Sequence, residues 1–162
     1  MITLDHIANH FRDVSILARP AVFAEYPTQV ESWFKGELIL LLSRALQQGL
    51  INHFEIEPLV QGIRPDLAMA DDNQHVVMEL KCGHQSYNQD RQLPNWFHNG
   101  RVHQGFVRLN EVRDLGRWIL VFMYPKPSET YWRQVAEFHE GWHCETNYAD
   151  YPVELLIGSW RR

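Results

Sequence analysis

Cysteine is scarce in this chain, whose 162 residues include only Cys82 and Cys144. Two cysteines are by themselves too few for a disulfide framework or a zinc cluster. Long apolar runs are missing as well: the run at 38–42 is interrupted by Ser43 and Arg44, which argues against a membrane-spanning segment. The first residues lack the basic stretch and following apolar stretch of a secretory signal. We therefore expect a cytoplasmic protein without a membrane partner.

Positive charge is also limited, because 15 Lys and Arg residues face 20 Asp and Glu residues, for a formal net charge of −5. This balance counts against an extended basic surface for nucleic acid. It does not exclude an enzyme that acts on nucleic acid, since acids can gather at a metal site while arginines lie elsewhere. The chain shows no internal repeat, low-complexity tract or linker. We expect a single domain over residues 1–162, long enough for a substantial core.

The most informative pattern is a pair of alternating segments, 63–70 and 75–81. In both, apolar residues alternate with charged or small residues. A period of two places alternate side chains on opposite faces and predicts a β-strand in each segment. The intervening residues 71–74 are rich in turn formers. The two strands are therefore expected to form a β-hairpin.

This hairpin brings three ionisable side chains onto one face. If it turns symmetrically about residues 72–73, Asp66 lies directly opposite Glu79, and opposed Cβ atoms in such a pair are ~4.5–5.5 Å apart. Two carboxylates at that spacing repel each other unless a proton or a cation lies between them. Mg²⁺ suits them, because it binds through one or two carboxylates and leaves positions for water and phosphate. Lys81 shares this face, either for catalysis or in a structural ion pair.

The arrangement Pro65-Asp66 … Glu79-Leu80-Lys81 resembles the motif of the PD-(D/E)XK nuclease superfamily. The resemblance implies an α/β fold with a restriction-endonuclease-like core in the order α-β-β-β-α-β, a central mixed sheet flanked by helices. It further implies that Asp66 and Glu79 hold Mg²⁺, with Mn²⁺ as a substitute, and that Lys81 orients or polarises the attacking water. It covers roughly residues 28–125 and leaves an aromatic-rich C-terminal extension, 126–162, outside the core.

The first core helix is predicted to begin at the capping box Thr28-Gln29-Val30-Glu31. Apolar residues then recur at helical spacing as far as Ala45. Glu31 has a local task as the partner in the box, whereas Glu37 interrupts the apolar flank and has no local partner. The superfamily often supplies an extra acidic ligand from this helix. The resemblance therefore implies Glu37 as a further catalytic residue and metal ligand, with Glu31 as the alternative.

Shorter patterns predict the remaining elements. Alternation of apolar with acidic residues favours a strand, and a continuous apolar run rich in β-branched and aromatic residues favours a buried strand. Proline suits the first turn of a helix. The predicted elements are a strand within 50–60, a helix from Pro94 to Gly116, a strand at 118–124, a helix at 128–140 and a strand at 151–157.

Two segments are candidates for contact with a substrate. Residues 83–92 are polar and aperiodic and follow Lys81 directly; loops beside a site often bind ligands, although an ordinary loop is the alternative. Positions 104 and 108 lie one turn apart on the second core helix, so both side chains can face the site. The candidates are Gln85, Tyr87, Arg91, Gln104 and Arg108.

The function expected from these features is metal-dependent hydrolysis of phosphodiester bonds in nucleic acid, more readily in DNA than in RNA. An alternative of a different class is a domain that keeps the fold but serves as a nucleic-acid-binding or assembly module, with a partner protein supplying specificity. The tryptophans of 126–162 either form a homodimer surface or pack in the core. Measurement of metal binding separates the enzyme from the module.

Overall fold

The computed structural model describes residues 2–12, 30–84, 97–124, 126–136, 141–146 and 155–162. These residues form helices on both faces of a six-stranded sheet, which confirms the predicted α/β class. The helices are α1 (Leu4–Phe11), α2 (Val30–Gln47), α3 (Arg101–Asn110) and α4 (Glu129–Ala136). The strands are β1 (His53–Ile56), β2 (Leu67–Ala70), β3 (His75–His84), β4 (Gly116–Tyr124), β5 (His143–Thr146) and β6 (Leu156–Arg161).

The sheet is mixed, as predicted, with the strand order β1-β2-β3-β4-β6-β5. Strands β3 and β4 run parallel, and the other neighbours run antiparallel. A parallel pair needs a crossover connection, and α3 lies in that connection. The succession α2-β1-β2-β3-α3-β4 repeats the predicted order of helix, three strands, helix and strand.

Local sequence accounts for the first two helices. Helix α1 begins at a capping box in which the side chains of Thr3 and His6 each accept a hydrogen bond from the other residue's backbone N–H. Helix α2 buries the apolar stripe that its spacing predicts, including Phe34, Leu38 and Leu42. The predicted cap at Thr28 lies outside the described residues, as does Pro94 before α3. None of the described helices is long and apolar enough to cross a membrane.

The register of the β2–β3 hairpin is the predicted one. Leu67 lies opposite Met78 and Ala70 opposite His75, so the turn is symmetric about residues 72–73. Asp71 closes this turn, because its Oδ1 accepts hydrogen bonds from the backbone N–H groups at 73 and 74, at 2.8 and 3.1 Å. Both hydrogen bonds lower the pKa of the Asp71 carboxyl, and the one from Asn73 lowers it more than the one from Gln74. Turn chemistry thus favours the observed alignment of the two strands.

The strand that was predicted to contain Asp66 is shorter than expected. It begins at Leu67, and Ile63 instead forms an isolated bridge with Val60. Ile63 packs on the opposite side of the sheet from Leu67, so the predicted alternation does not extend back to 63. The carbonyl of Asp66 nevertheless accepts the N–H of Glu57 at 3.0 Å, which holds its backbone beside the end of β1.

Two apolar clusters lie on the two faces of the sheet. One joins α1 and α2 to the even-numbered residues of β3, from Val76 to Cys82, and the other joins α3 and α4 to the odd side, which includes Val77. Phe34 stacks on Phe122 of β4 with ring centroids 4.4 Å apart. Cys82 is buried, as its alternation with Lys81 requires, and this burial raises the pKa of its thiol.

The C-terminal residues belong to this sheet, although they were predicted to lie outside the core. Strand β6 pairs with β4 on one side and with β5 on the other. Trp132 and Trp160 are buried in the cluster beneath α3 and α4, so core packing occupies both of them. The described terminal strand spans Leu156–Arg161, and residues 151–154 of the strand predicted at 151–157 lie outside the described residues. Strand β5 was not predicted, and Gly116 begins β4 instead of ending a helix.

Gly158 tests how tightly β6 is packed. A Cβ at this position would lie 2.5 Å from Trp132 Cζ2 and 2.7 Å from Trp160 Cζ3, and both rings are buried. We expect Gly158→Ala to lower the free energy of unfolding by about 1–3 kcal/mol, the usual cost of overpacking. Denaturation in urea, with cleanly two-state curves, measures the change.

Gly36 offers the matched control in the middle of α2. Nothing lies within 4 Å of a Cβ built there, and alanine favours a helix interior over glycine by about 0.8–1 kcal/mol. Gly36→Ala is therefore expected to raise the free energy of unfolding. Similar losses in both variants would contradict the tight packing inferred for Gly158.

Candidate active site

Asp66 lies directly before β2 and joins two other elements through its carboxylate. Its Oδ2 accepts the backbone N–H of Leu80 at 2.9 Å, and its Oδ1 accepts a hydrogen bond from Lys35 Nζ at 3.2 Å. The side chain is 22% exposed. Leu80 follows Glu79 in the chain, so this hydrogen bond ties Asp66 to β3 next to Glu79.

Glu79 is the buried centre of the site, with a side chain only 1% exposed. Lys81 Nζ donates a hydrogen bond to its Oε2 at 2.8 Å, and Arg108 Nη2 lies 3.2 Å from its Oε1. The Arg108 contact is an ion pair without hydrogen-bond geometry, since Oε1 accepts no hydrogen bond from any described residue. Burial raises the pKa of Glu79, Lys81 opposes that rise most strongly, and the negative charge of Asp66 adds to it.

Lys81 is held between β3 and α3, with its side chain 12% exposed. Helix α3 packs on it at Gly105, where a Cβ would lie at ordinary contact distance, 3.5 Å from Lys81 Cε and 3.8 Å from Glu79 Cβ. Any side chain longer than that of alanine would enter the space of these two residues.

Of the two substrate-binding candidates on α3, Arg108 is the one that contacts an acidic residue of the site, Glu79. Its guanidinium pairs with Glu79 and also donates a hydrogen bond to the carbonyl of Arg64. Gln104 is exposed one turn earlier on the same helix. The other candidates, Gln85, Tyr87 and Arg91, lie outside the described residues, and a role of any of these five in binding substrate stays a prediction.

Glu37 does not join the two carboxylates, contrary to the expectation for this helix. Its Oε2 lies 3.3 Å from His10 Nε2 of α1, and both side chains are largely buried. The physical reason is helical geometry, because residues two apart point roughly 200° from each other around the axis. With Lys35 directed at Asp66, Glu37 faces α1. Glu31, the alternative ligand, acts with burial to raise the pKa of the Cys82 thiol.

Lys35 is a residue of the site that sequence reasoning missed. Its Nζ lies 2.6 Å from Glu57 Oε1 and 3.2 Å from Asp66 Oδ1. Burial alone would lower the pKa of Lys35, but the hydrogen bond to Glu57 and the charge of Asp66 outweigh burial and raise it. No local pattern marks these residues as partners, since each lies on a different element of the fold.

The arrangement can accept a divalent cation through two carboxylates. Glu79 Oε1 is buried and accepts no hydrogen bond from the described residues, so it retains lone pairs for a cation. The charges of Asp66 and Glu79 also act on each other. Among the described residues no group of three or more His, Cys, Asp or Glu side chains is placed to hold a metal ion, so a cation here would have to bind through this pair of carboxylates. Mg²⁺ tolerates such a set because it keeps several waters and binds phosphate oxygens.

Replacement of Glu37 separates its structural contact from the predicted role as a ligand. We expect Glu37→Ala to lower the free energy of unfolding by about 1–3 kcal/mol, because the buried imidazole of His10 loses this partner. Glu37→Gln retains a hydrogen-bonding group and should lose less. Urea denaturation measures both variants, and calorimetric titration with Mn²⁺ should match the wild type. A loss of Mn²⁺ binding in both variants would instead make Glu37 a ligand.

Comparisons of the chain with protein-family models, with curated proteins and with solved structures found no match. The contacts of Glu79 with Lys81 and Arg108, and those of Asp66 with Lys35 and the backbone of Leu80, are therefore the basis for inferring a function.

Proposed function

We propose that this chain is a metal-dependent phosphodiesterase that hydrolyses nucleic acid, with DNA as the preferred substrate. One observation carries the proposal: the Asp66 carboxylate accepts the backbone N–H of Leu80, next to the buried Glu79, and its charge acts on the Glu79 carboxylate, while Lys81 Nζ lies 2.8 Å from Glu79 Oε2. The order of elements around these residues is the order expected for the PD-(D/E)XK nucleases that the motif resembles. The preference for DNA follows from that resemblance and is tested below.

The side chains divide the proposed reaction between them. Mg²⁺ held by Asp66 and Glu79 would lower the pKa of a water molecule and neutralise charge on the phosphate. The ammonium of Lys81 would donate a hydrogen bond to the attacking water or to the oxygen on which negative charge develops. Arg108, whose side chain is 44% exposed beside Glu79, would contact a phosphate oxygen.

One observation favours the second candidate function, an assembly or binding module without catalysis. Lys35, Lys81 and Arg108 pair with the acidic residues of the site. Such a network is stable as an ion-pair cluster and does not require a reaction to explain it. The module would show neither binding of a divalent cation nor cleavage of nucleic acid.

Two variants separate the metal ligands from the lysine. We expect Asp66→Ala to abolish the heat of Mn²⁺ binding together with cleavage, because it removes one of two carboxylate ligands. Lys81→Ala should retain Mn²⁺ binding and lose cleavage, because an ammonium group is not a metal ligand. Titration calorimetry measures binding, and supercoiled DNA, linear DNA, single-stranded DNA and RNA are the cleavage substrates.

Glu129→Ala is the control for this pair of variants. Glu129 is an exposed acidic residue of α4 that pairs with Arg133, so its loss should change neither quantity. If wild type and Asp66→Ala bind Mn²⁺ equally, the carboxylate pair is not a metal site, and faster cleavage of RNA than of DNA would reassign the substrate.

The pH dependence of metal binding follows from the raised pKa of Glu79. A raised pKa keeps the proton on this carboxyl at a pH where an ordinary glutamate is ionised. The proton and the metal therefore compete for the carboxyl over a higher pH range. We expect Mn²⁺ affinity to fall as the pH is lowered from neutral, with its midpoint above the ordinary value of 4.5. Calorimetry in a series of buffers measures the midpoint, and a value at or below 4.5 would contradict the assignment of Glu79 as a ligand.

A further inference from the structure

Lys35 lies between two carboxylates of different exposure. Its Nζ is 2.6 Å from Glu57 Oε1 and 3.2 Å from Asp66 Oδ1, and its own side chain is only 17% exposed. The side chain of Glu57 is 64% exposed, whereas that of Asp66 is 22% exposed. The shorter of the two contacts of Lys35 is therefore the one to the outer carboxylate, Glu57.

The backbone at Glu57 is consistent with a dedicated position for that carboxylate. Its φ of 50° lies in the left-handed region, which is unfavourable for a residue other than glycine. The N–H of Glu57 donates to the carbonyl of Asp66 at 3.0 Å, so the same residue contacts the site through its backbone and, by way of Lys35, through its side chain. Backbone strain of this kind persists where surrounding contacts hold it, commonly near functional sites.

The charges of the groups around Lys35 balance one another. Lys35, Lys81 and Arg108 supply three positive charges, and their partners Glu57, Asp66 and Glu79 supply three negative charges. The network is therefore neutral without a metal ion. A divalent cation would add two positive charges next to Asp66, where the ammonium of Lys35 already lies. Repulsion between like charges favours departure of that ammonium from the ligand.

We propose that Lys35 is the internal counter-ion of Asp66: it positions this carboxylate in the metal-free protein and shifts to Glu57 alone when a divalent cation binds. This inference rests on the proposed function, because it assumes that Asp66 is a metal ligand. It adds a positioning residue from α2 that opposes metal binding, so Lys35 sets the affinity of the site below what its two carboxylates would otherwise give.

The test is calorimetric titration of Mn²⁺ into the metal-free protein, combined with thermal melting with and without Mn²⁺. We expect Lys35→Met to bind Mn²⁺ about three- to tenfold more tightly, because one positive charge no longer competes for Asp66. The same variant should melt at a lower temperature than wild type without metal, and Mn²⁺ should raise its melting temperature by more than it raises that of wild type.

Glu57→Gln is the opposing variant and keeps the test valid if Lys35→Met does not fold. With Glu57 neutral, Asp66 is the remaining acidic partner of Lys35 among the described residues, so moving the ammonium becomes harder. We expect Mn²⁺ affinity to fall about two- to fivefold, the range of a partly exposed ion pair. Arg44→Met is the control, since it removes one charge from an exposed residue about 13 Å further along the same helix.

The outcomes separate this inference from the proposed function. Tighter binding by Lys35→Met, weaker binding by Glu57→Gln and no change in Arg44→Met support the counter-ion. Equal affinity in wild type and both site variants, with binding still abolished in Asp66→Ala, overturns the role of Lys35 and leaves the metal site standing. Weaker binding by Lys35→Met also overturns it. Absence of Mn²⁺ binding in the wild type overturns both.

Discussion

The burial of one carboxylate, that of Glu79, is the constraint on which the site depends. A charge removed from water is costly unless opposite charges and hydrogen bonds compensate it. Lys81 supplies a hydrogen-bonded cation from the same strand, and Arg108 supplies a second cation from α3. Helix α3 packs against both Glu79 and Lys81 at Gly105. Strand, helix and charge network are therefore coupled at this point of the fold.

The residues of the site come from both faces of the sheet. Glu79 and Lys81 lie on the side of α3, whereas Lys35 reaches Asp66 from α2, the helix of the opposite face. Asp66 can serve both sides because it precedes β2 at the edge of the hairpin and accepts a hydrogen bond from the backbone of β3. Asp66 is therefore in contact with elements of both layers.

Much of the hairpin could be predicted because its information is local. Alternation determined which residues of β3 enter each apolar cluster, and the turn formers at 71–74 set the register that brings Asp66 near Glu79. The contact of Glu37 could not be predicted for a corresponding reason. The apolar stripe of α2 shows that Glu37 is covered, but the partner that covers it, His10, lies on another helix. A spacing rule cannot identify that partner.

The sequence by itself determined the α/β class, the order of the core elements and the pairing of the hairpin, since each depends on residues close together in the chain. Only the tertiary structure decided that Lys35 and Arg108 accompany the acidic pair, that Glu37 faces α1 and that the C-terminal residues complete the sheet. Those features depend on how α1, α2 and α3 pack on the two faces. Such packing is set by the whole set of buried side chains acting together, which no local pattern records.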